Sequence, residues 1–568
     1  MTPKAPKVFV VGLDGATFDL VDRWVKEGKL PTLSQCIKRG ARSVLLSTPL
    51  SNSAQAWSTF VTGKNPGKHG IFDFFERIPG SYDIRFVNAS FRKGDSLWEI
   101  ISHLGKKVIV MNVPMSYPPS KVNGVILSGF DSPGITSNFA YPENIMEEIR
   151  EKVGPYILEP GIWGFIRKGR QDIALQKLLE TIEIRKNTAK YLMTSYPWDF
   201  FMIVFTESDK VQHHFWKYMD SHVEKFGVAQ ADNRYKSAIT EVYRALDSSL
   251  KELLELADEE THVFIVSDHG AGPSTNKTFY INKWLSAEGF LTFQKSSARK
   301  KFANRLIKTT ESIIKTNLSR KTKEFLARNF PHLRRKAEPT LSLSAIDWSK
   351  SKAYSRENHP AIFINLKGRE PLGVVTPGSD YHRIRQTIVQ KLMALTCPES
   401  HEKIVDRVFL KEDVFWGDEF DKAPDIIFTW KNHQYIHRPS DPFLKDGFIK
   451  ILNRKEAEFS ESLHRPSGVH RDEGILIVQG PRIKTGKSLV QSRLMDIAPT
   501  LLYTLGIPIP NEMDGKVLLN IFEEKFIIDR PVLFTEEKEK PSIKAEEIYD
   551  VDEESAVRDR LKGLGYID

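Results

Sequence analysis

Cysteine is nearly absent from this chain, which has only Cys36 and Cys397 among its 568 residues. So few thiols exclude a fold built on disulfides and favour a reducing compartment. No stretch reaches about 18 uninterrupted apolar residues, so no membrane-spanning helix is predicted. The N-terminal residues pass from a short polar lead directly into a strand-like run, without the apolar region of a secretory signal. Together these absences predict a cytoplasmic protein.

Internal repeats and long low-complexity tracts are also lacking. Hydrophobic residues make up 40% of the chain, charged residues 27% and aromatic residues 11%. That balance is typical of a globular protein and argues against long disordered regions. A chain of 568 residues is too long for one simple core. One large domain with insertions, or two domains, is therefore expected.

The chain has a net charge of +9 at pH 7, and this charge affects which partners it could bind. A basic surface suits anionic partners such as phosphate compounds, nucleic acid or anionic lipid. An ordinary solvated surface with a modest excess of lysine and arginine explains the same charge equally well. The charge therefore does not select a partner by itself.

Short apolar runs rich in valine, isoleucine and phenylalanine alternate with amphipathic helical stretches along the chain. Such runs are typical of strands buried on both faces of a largely parallel sheet. Their alternation with helices predicts an α/β fold. The clearest runs cover residues 7–15, 106–114, 199–209, 261–270 and 474–481.

Two segments depart from this alternation of apolar runs and helical stretches. Residues around 142–195 are mainly helical in pattern and are interpreted as an insertion. Residues 295–336 are densely basic and helical in pattern, and they are interpreted as an inserted cap. A solvated helix pair is the plainer explanation of this basic segment, and a surface for anionic lipid or another polyanion is the alternative. The predicted division is a first part of the core at 1–294, a basic cap at 295–340, a second part of the core at 341–535 and a charged tail at 536–568.

Acidic and histidine side chains follow three of the apolar runs at the point where each run ends. These places are occupied by Asp14, by Asp209 and by the pair Asp268 and His269. Because ligands gather at the carboxyl ends of strands in open α/β sheets, we expect one shared site. Carboxylates placed together repel one another unless cations neutralise them. Aspartate with histidine suits Zn²⁺, Mn²⁺ or Fe²⁺, although a single strand-end aspartate is as commonly a helix cap.

Asp209 and His213 are four residues apart, so a helix that begins near Asp209 places both side chains on one face. His214 would point about 100° away from them. A lone histidine is more often a structural residue than a ligand. The recurrence of the pattern at three strand ends favours the ligand interpretation.

The segment between the first two strand-end aspartates is rich in hydroxyl side chains that could supply a nucleophile. Spacing alone does not select one of them. The run AWSTFVTG is predicted to be a buried helix, and Ser53 lies near its start, where backbone N–H groups and the helix dipole favour an anion. Metal coordination would lower the pKa of a serine hydroxyl and activate it. The candidates are Ser47, Thr48, Ser51, Ser53, Ser58, Thr59 and Thr62.

An ordered set of short motifs resembles the type I phosphodiesterase and nucleotide pyrophosphatase branch of the alkaline phosphatase superfamily. Each motif is weak by itself, but their order from about residue 7 to residue 520 is specific. The chain is most similar to a subgroup described as predicted phosphohydrolases or phosphomutases. The motifs are GLDGAT, LPTLSQCIKRGA, VTGKNPGKHGI, ESDKVQH, SDHGA, SGVH and DIAPTLLYTLGIPIPNEMDGKVL.

The resemblance implies a central mixed β-sheet sandwiched by helices, with helical insertions, and two divalent metal ions at one site. Zinc is the expected metal and manganese the alternative. His464 is a less favoured rival of His470 as a ligand. The implied ligands are Asp14, Asp268, His269 and the nucleophile for one ion, and Asp209, His213 and His470 for the other.

The resemblance also selects the nucleophile. In this branch it lies eight residues before the valine of VTG, and that position is Ser53. The branch more often has threonine there, and serine serves elsewhere in the superfamily. Nucleotide pyrophosphatases usually have asparagine three residues after HGI, where Phe74 stands in this chain. This departure puts a nucleotide substrate in doubt more than the class of reaction.

The implied function is hydrolysis of a small phosphoester, of the phosphodiesterase or phosphatase type, through a phosphoserine intermediate on Ser53. No specific nucleic acid is expected as a partner, and a peripheral contact with anionic lipid is an option for the basic cap. A phosphomutase or phosphotransferase, in which the phosphoryl group passes to another hydroxyl, is the first alternative. A non-catalytic binding protein on the same scaffold is the second, and a metal assay separates it from an enzyme.

Overall fold

The computed structural model describes most of the chain. The basic cap predicted at 295–340, the rival ligand His464 and part of the predicted tail lie outside the described residues. The predicted domain boundaries therefore stay predictions. The described residues are 6–219, 233–294, 343, 345–356, 358–397, 401–439, 447–452, 466–535 and 549–564.

The described strands are short, and the longest of them belong to one central sheet. In chain order they are β1 (Lys7–Leu13), β2 (Ala41–Leu46), β3 (Phe75–Arg77), β4 (Ile84–Phe86), β5 (Val108–Met111), β6 (Gly124–Leu127), β7 (Ala140–Tyr141), β8 (Phe200–Phe205), β9 (Thr261–Val266), β10 (Gly270–Pro273), β11 (Lys277–Tyr280), β12 (Ala353–Tyr354), β13 (Ala361–Ile364), β14 (Val405–Leu410), β15 (Ile426–Trp430), β16 (Ile436–Arg438), β17 (Ile449–Ile451), β18 (Gly468–Arg471), β19 (Glu473–Gln479), β20 (Lys487–Ser488), β21 (Ser492–Arg493), β22 (Ile509–Pro510) and β23 (Phe534–Thr535).

The described helices cover both faces of that sheet. In chain order they are α1 (Phe18–Lys26), α2 (Pro31–Arg39), α3 (Ser53–Thr62), α4 (Pro66–His69), α5 (Leu97–His103), α6 (Ile145–Lys152), α7 (Trp163–Ile166), α8 (Gln171–Ser195), α9 (Glu207–Met219), α10 (Ala238–Leu254), α11 (Ile281–Ala287), α12 (Ser379–Met393), α13 (Lys411–Val414), α14 (Ile497–Thr504), α15 (Glu524–Asp529) and α16 (Val551–Leu564).

Ten of the described strands form the central sheet, which is mixed. Its main path runs β20-β2-β19-β9-β1-β8-β5-β6-β7, and β21 pairs with β2. The inner strands β9, β1, β8, β5 and β6 are parallel to their neighbours in that run, whereas β19 pairs antiparallel with both β2 and β9. The predicted α/β fold with a central mixed sheet is therefore confirmed.

Strand β1 shows why this sheet has helices on both faces. Its side chains alternate between two hydrophobic cores, because successive side chains of a strand point to opposite sides. Phe9 and Val11 pack with α1, α2, α8, α9 and α10, whereas Val8 and Val10 pack with α3, α5 and α14. All four of these residues are buried, and each such side chain contributes about 1.5–3 kcal/mol of stabilisation relative to exposure.

A smaller unit, consisting of the described residues of 277–293 and 346–451, has a separate hydrophobic core. It contains the four-stranded sheet β12-β13-β15-β14 and the three-stranded sheet β16-β11-β17. A fourth apolar cluster joins this unit to the segment around α3, since Leu50 and Phe72 pack with Phe415 and Ile427. The smaller unit therefore lies beside the segment that carries the predicted nucleophile.

Candidate metal centre and nucleophile

The strand-end aspartates converge, as the parallel pairing of their strands predicts. Leu13 at the end of β1 pairs with Phe205 at the end of β8, and Gly12 pairs with Val266 at the end of β9. The backbone N–H of Gly15 donates to Asp268 Oδ1 at 3.3 Å. The register of three parallel strands thus brings the residues that follow them to one edge of the sheet.

Gly15 itself is required at this edge. Its φ of +67° favours glycine, and a Cβ there would lie 2.9 Å from Asp209 Oδ1. The tight turn after β1 therefore lets Asp14 and Asp209 approach each other with no side chain between them. This gives a physical reason for the glycine in the GLDGAT motif.

Asp209 and His213 share one face of α9, as predicted from their spacing. His213 Nε2 lies 3.2 Å from Asp209 Oδ1. His214 points elsewhere, and the centre of its ring is 5.3 Å from that of Trp163. The structure therefore separates the two neighbouring histidines in the predicted way.

His470 reaches the same place from a distant part of the sequence. Strand β18 pairs antiparallel with β10, in a register that sets His470 opposite Ala271. The His470 ring stacks on the His269 ring with centroids 3.7 Å apart, and His470 Nε2 lies 3.0 Å from His213 Nε2. All seven residues predicted for the site are thus gathered at one edge of the central sheet.

The three histidines share one hydrogen-bonding pattern. Each Nδ1 faces a backbone carbonyl at 2.8–2.9 Å: that of Gly270 for His269, Gly468 for His213 and Ser51 for His470. Because a carbonyl oxygen only accepts, each Nδ1 carries a proton, and Nε2 is the ring nitrogen that faces the site. A hydrogen bond from Nδ1–H to a backbone carbonyl is usual for histidines that bind a metal ion through Nε2.

These Nε2 atoms meet carboxylate oxygens in two groups suited to hold a cation. One group is Asp209, His213 and His470, and the other is Asp14, Asp209 and His269; the ligand atoms of each group lie within 4.8 Å of one another. Asp268 Oδ2 lies 3.4 Å from His269 Nε2, next to the second group. Asp209 thus lies between the two groups.

Three carboxylate oxygens of the site have no hydrogen-bond donor within the described parts of the chain, and a bound cation would neutralise them instead. Asp14 Oδ1, Asp209 Oδ1 and Asp268 Oδ2 are buried and have no hydrogen-bond donor among the described residues. Buried charged oxygens without partners are costly, and lone pairs of nitrogen and oxygen facing one another repel. The donor set of carboxylate oxygens and imidazole nitrogens fits zinc or manganese.

The raised pKa values of Asp14 and Asp268 reflect the crowding of buried carboxylates at this site. Burial raises the pKa of the Asp14 carboxyl well above its usual range, and the charges of Asp268 and Asp209 raise it further. Burial also raises the pKa of Asp268, against the opposing effect of His269. For Asp209, burial acts in the same direction, but the neighbouring His213 brings its pKa below the usual value. A divalent cation would stabilise all three ionised carboxylates.

Ser53 is the first residue of α3, as the sequence predicts, and its side chain is fully buried. Its Oγ lies 3.2 Å from His269 Nε2, and a hydrogen bond from Ser53 stabilises the Asp268 carboxylate. Asn52 caps the helix by accepting from the backbone N–H of Gln55. The nucleophile candidate is therefore held at a helix start and against the candidate metal-ligand residues.

Three of the six rival hydroxyls of this segment have partners of their own. Ser51 donates to the carboxylate of Asp472, and Thr59 hydrogen bonds to His69 Nε2 at 2.9 Å. Thr62 donates to the backbone carbonyl of Ser58. Among these, the structure places only the Ser53 hydroxyl against His269 Nε2.

The comparisons with known proteins agree with this geometry. The sequence model of the family described as type I phosphodiesterase / nucleotide pyrophosphatase matches residues 8–442. The chain belongs to that family. This confirms the resemblance and the enzyme class, a hydrolase of phosphoric ester bonds. The matched residues include every predicted site residue except His470.

Solved structures of similar fold include phosphonoacetate hydrolase from Sinorhizobium meliloti 1021. Its complex with phosphonoformate has a TM-score of 0.51 and 14% identity, over 89% of this chain and 95% of that chain. Its complex with phosphonoacetate has a TM-score of 0.50 at the same identity and coverage. At this identity the likeness shows the alkaline-phosphatase-like fold alone. No curated protein matches the chain, and no described helix is long and apolar enough to cross a membrane.

Phe74, at the position where nucleotide pyrophosphatases usually have asparagine, is a core residue in this structure. Its side chain is 1% exposed and lies in the hydrophobic core. Its ring centre is 5.7 Å from that of Phe130. The position therefore contributes to packing, and its ring is not available to stack on a substrate.

Trp57 is a site residue that sequence reasoning missed. Its Nε1–H donates to Asp14 Oδ2 at 3.1 Å. The signal was present in the sequence, because Trp57 lies four residues after Ser53 on the same helix and so on the same face. This hydrogen bond orients one carboxylate of the phosphodiesterase site and leaves Asp14 Oδ1 directed at His269.

A buried ion pair fixes the start of α9, the helix that carries Asp209 and His213. Arg185 of α8 donates to Glu207 Oε1 at 2.6 Å and to the backbone carbonyl of Leu158, and both charged side chains are at most 1% exposed. Removing one partner of a buried pair leaves an uncompensated charge. We expect Arg185→Met to lower the free energy of unfolding by about 3–5 kcal/mol in urea denaturation.

The matched control is Arg170→Met, which removes an arginine from an exposed pair with Asp172 just before α8. Exposed pairs contribute little, so its urea midpoint should stay at the wild-type value. Equal destabilisation by the two variants would contradict the role given to Arg185.

Proposed function

We propose that the chain is a metal-dependent phosphodiesterase that works through a phosphoserine intermediate on Ser53. The observation that carries the proposal is the position of Ser53 Oγ, 3.2 Å from His269 Nε2 and hydrogen bonded to Asp268. A buried serine hydroxyl against an aspartate and a histidine, at the edge of an anionic cluster, is arranged for activation rather than for structure.

The residues of the site divide into two sets in this proposal. Bound divalent ions, zinc or manganese, would lower the pKa of the serine hydroxyl and neutralise charge on the phosphoryl oxygens. Asp209 is the carboxylate between the sets. The set that includes Ser53 is Asp14, Asp268 and His269, and the other is Asp209, His213 and His470.

The chain's own groups then position the attack. Trp57 and Gly15 hold Asp14 and Asp268 by hydrogen bonds, so the carboxylates around Ser53 are oriented before substrate binds. The first turn of α3 offers backbone N–H groups without intrahelical partners, which favour an anionic phosphoryl group near Ser53. Attack by Ser53 Oγ on phosphorus forms a Ser–O–P bond and releases one ester group as its alcohol, which takes up the serine proton. The phosphorus keeps its second ester group until water breaks the Ser–O–P bond, which restores the serine hydroxyl and frees a phosphomonoester.

The substrate is proposed to be a small phosphodiester, in line with the family. Rates with a nitrophenyl phosphodiester and the matching monoester test this choice. A large preference for the diester is expected, and a large preference for the monoester would contradict it. Product analysis with an added alcohol separates hydrolysis from transfer to another hydroxyl. The cytoplasmic location, the absence of a nucleic-acid partner and the lipid contact stay predictions.

The metal content of the protein tests the metal dependence directly. We expect about two divalent ions per chain, zinc above all, when the protein is purified without chelator. Elemental analysis measures this number, and activity should fall with chelator and return with added Zn²⁺ or Mn²⁺. A reproducible content near zero that added metal does not restore would refute the proposal.

A further inference from the structure

Ser51 lies in the segment between β2 and α3 and contacts the proposed catalytic centre through its backbone. Its carbonyl accepts a hydrogen bond from His470 Nδ1 at 2.8 Å. Two residues later, Ser53 begins α3. Ser51 therefore connects the group of ligand atoms that contains His470 to the start of the helix that carries the proposed nucleophile.

The carbonyl that accepts from His470 differs in its setting from those that accept from the other two histidines. Gly270 and Gly468, which accept from His269 and His213, belong to β10 and β18, and the pairing of these two strands holds their backbones. Ser51 lies outside the strands and helices. The direction of its carbonyl therefore depends on local contacts and not on strand pairing.

The backbone of Ser51 adopts the left-handed conformation, with a φ of +47°. A residue with a Cβ is disfavoured there and keeps this conformation only where surrounding contacts hold it. The Ser51 N–H donates to the Thr48 carbonyl at 2.9 Å, which closes a turn. Ser51 Oγ is also 3.3 Å from that carbonyl, which is long for a hydroxyl donor. These two contacts constrain the N–H of Ser51 more than the rotation that directs its carbonyl.

Asp472, the single residue between β18 and β19, supplies a further contact. The Ser51 hydroxyl donates to the Asp472 carboxylate, and hydrogen bonds to an ionised acceptor are stronger than those between neutral groups. The Asp472 carbonyl accepts from the backbone N–H of Ser47 at 2.9 Å. Asp472 thus holds the segment 47–51 at both of its ends. Because Asp472 is two residues after His470, the histidine and its carbonyl acceptor are held by one short stretch of chain.

We propose that Asp472 is a positioning residue of the catalytic centre and that it acts through Ser51 on the proposed ligand His470. The Asp472 carboxylate holds the Ser51 hydroxyl, the Ser51 carbonyl holds His470 Nδ1–H, and His470 Nε2 is thereby kept directed at the site. The inference rests on the proposed function, because it requires that His470 binds a metal ion. It goes beyond that function in assigning a role to Asp472 and to the left-handed backbone at Ser51.

The test measures zinc affinity, by titration of the zinc-loaded full-length protein with a chromogenic chelator that competes for Zn²⁺. Ser51→Ala and Asp472→Ala should each weaken the binding of one zinc ion about tenfold or more and that of the other ion much less. Hydrogen-bond partners of metal ligands typically contribute about 10–100-fold to metal affinity. The double variant should bind zinc no more weakly than the single variants, because both substitutions remove the same hydrogen bond.

Two further variants are matched controls for the charge and for the hydrogen bond. Asp472→Asn keeps an oxygen that can accept from Ser51, so it should keep most of the wild-type affinity. Glu473→Ala removes the adjacent carboxylate, which belongs to an exposed residue, and should leave the affinity for both ions unchanged.

Equal weakening of both ions, additive losses in the double variant or wild-type affinity in both single variants would overturn the positioning role and leave the proposed function standing. Should Asp472→Ala fail to fold, Ser51→Ala decides alone, because the loss of this hydroxyl would leave the affinity for both ions unchanged if Ser51 had no positioning role. A wild-type protein that binds neither Zn²⁺ nor Mn²⁺ would instead refute the proposed function.

Discussion

Ser53→Ala is expected to lower kcat by on the order of 10³ or more, because the covalent route is lost with the nucleophile. The Ser53 hydroxyl lies at the start of α3, 3.2 Å from His269 Nε2. Its removal leaves Asp14, Asp268 and His269 in place as the proposed ligands. Metal content should therefore change little. The substitution should lower the rate without preventing metal binding at the site. Steady-state kinetics and elemental analysis on the same preparation measure the two quantities.

The control for this variant is Ser58→Ala. Ser58 is buried on the same helix, and its hydroxyl has no hydrogen-bond partner among the described residues. Removing it should leave both the rate and the stability close to those of the wild type. Ser51→Ala is a less suitable control, because the Ser51 hydroxyl donates a hydrogen bond to Asp472 that the substitution would remove. A Ser53→Ala protein that keeps most of its activity would exclude Ser53 as the nucleophile.

Asp209→Asn is expected to lower activity by a similar factor, through weaker metal binding instead of loss of the nucleophile. Asp209 belongs to both groups of metal-binding atoms, so its neutralisation weakens both positions. Metal ions supply several kcal/mol of transition-state stabilisation, and each 1.4 kcal/mol is a factor of ten. A loss in kcat/KM on the order of 10³ is therefore expected, accompanied by a fall in metal content that Ser53→Ala does not show.

Asp247→Asn provides the matched comparison for a buried carboxylate with a structural role. Asp247 accepts the backbone N–H groups of Thr32 and Leu33 at the start of α2, away from the metal-binding groups. This variant should lose stability and keep its metal. If Asp209→Asn retained the full metal content, or if Asp247→Asn lost as much metal, the shared-ligand role of Asp209 would be wrong.

Local sequence pattern predicted the residues of the site that follow the parallel strands. Asp14, Asp209 and Asp268 each follow a buried strand, and parallel neighbours end at the same edge. His213 followed from helical spacing. His470 did not, because it arrives on β18 through an antiparallel pairing with β10 that no local pattern signals. Only the resemblance to the phosphodiesterase family selected it.

Local sequence pattern also failed to select the nucleophile. Hydroxyl content and helix start narrowed the choice, yet the spacing of the hydroxyls left seven candidates open. Their hydrogen-bond partners, such as Asp472 for Ser51 and His69 for Thr59, depend on tertiary contacts. The fold class was predictable from the alternation of apolar runs and helices, whereas the smaller unit was not, because its strands are short and its position depends on packing against Leu50 and Phe72.

Phe74 was noticed in the sequence as a departure from the residue usual in nucleotide pyrophosphatases, and the structure explains it as a core residue packed on Phe130. A change at a motif position can thus reflect packing instead of a new contact with substrate.

The most direct test of the account is to find which side chain carries the phosphoryl group during turnover. The protein is mixed with a slow nitrophenyl phosphodiester, quenched in acid and digested, and the peptides are analysed by mass spectrometry. The account predicts a phosphoryl group that still carries the second ester group of the substrate on Ser53 in the wild type, and no labelled peptide from Ser53→Ala. The same label on Ser51, Thr59 or any other side chain in the wild type would contradict it.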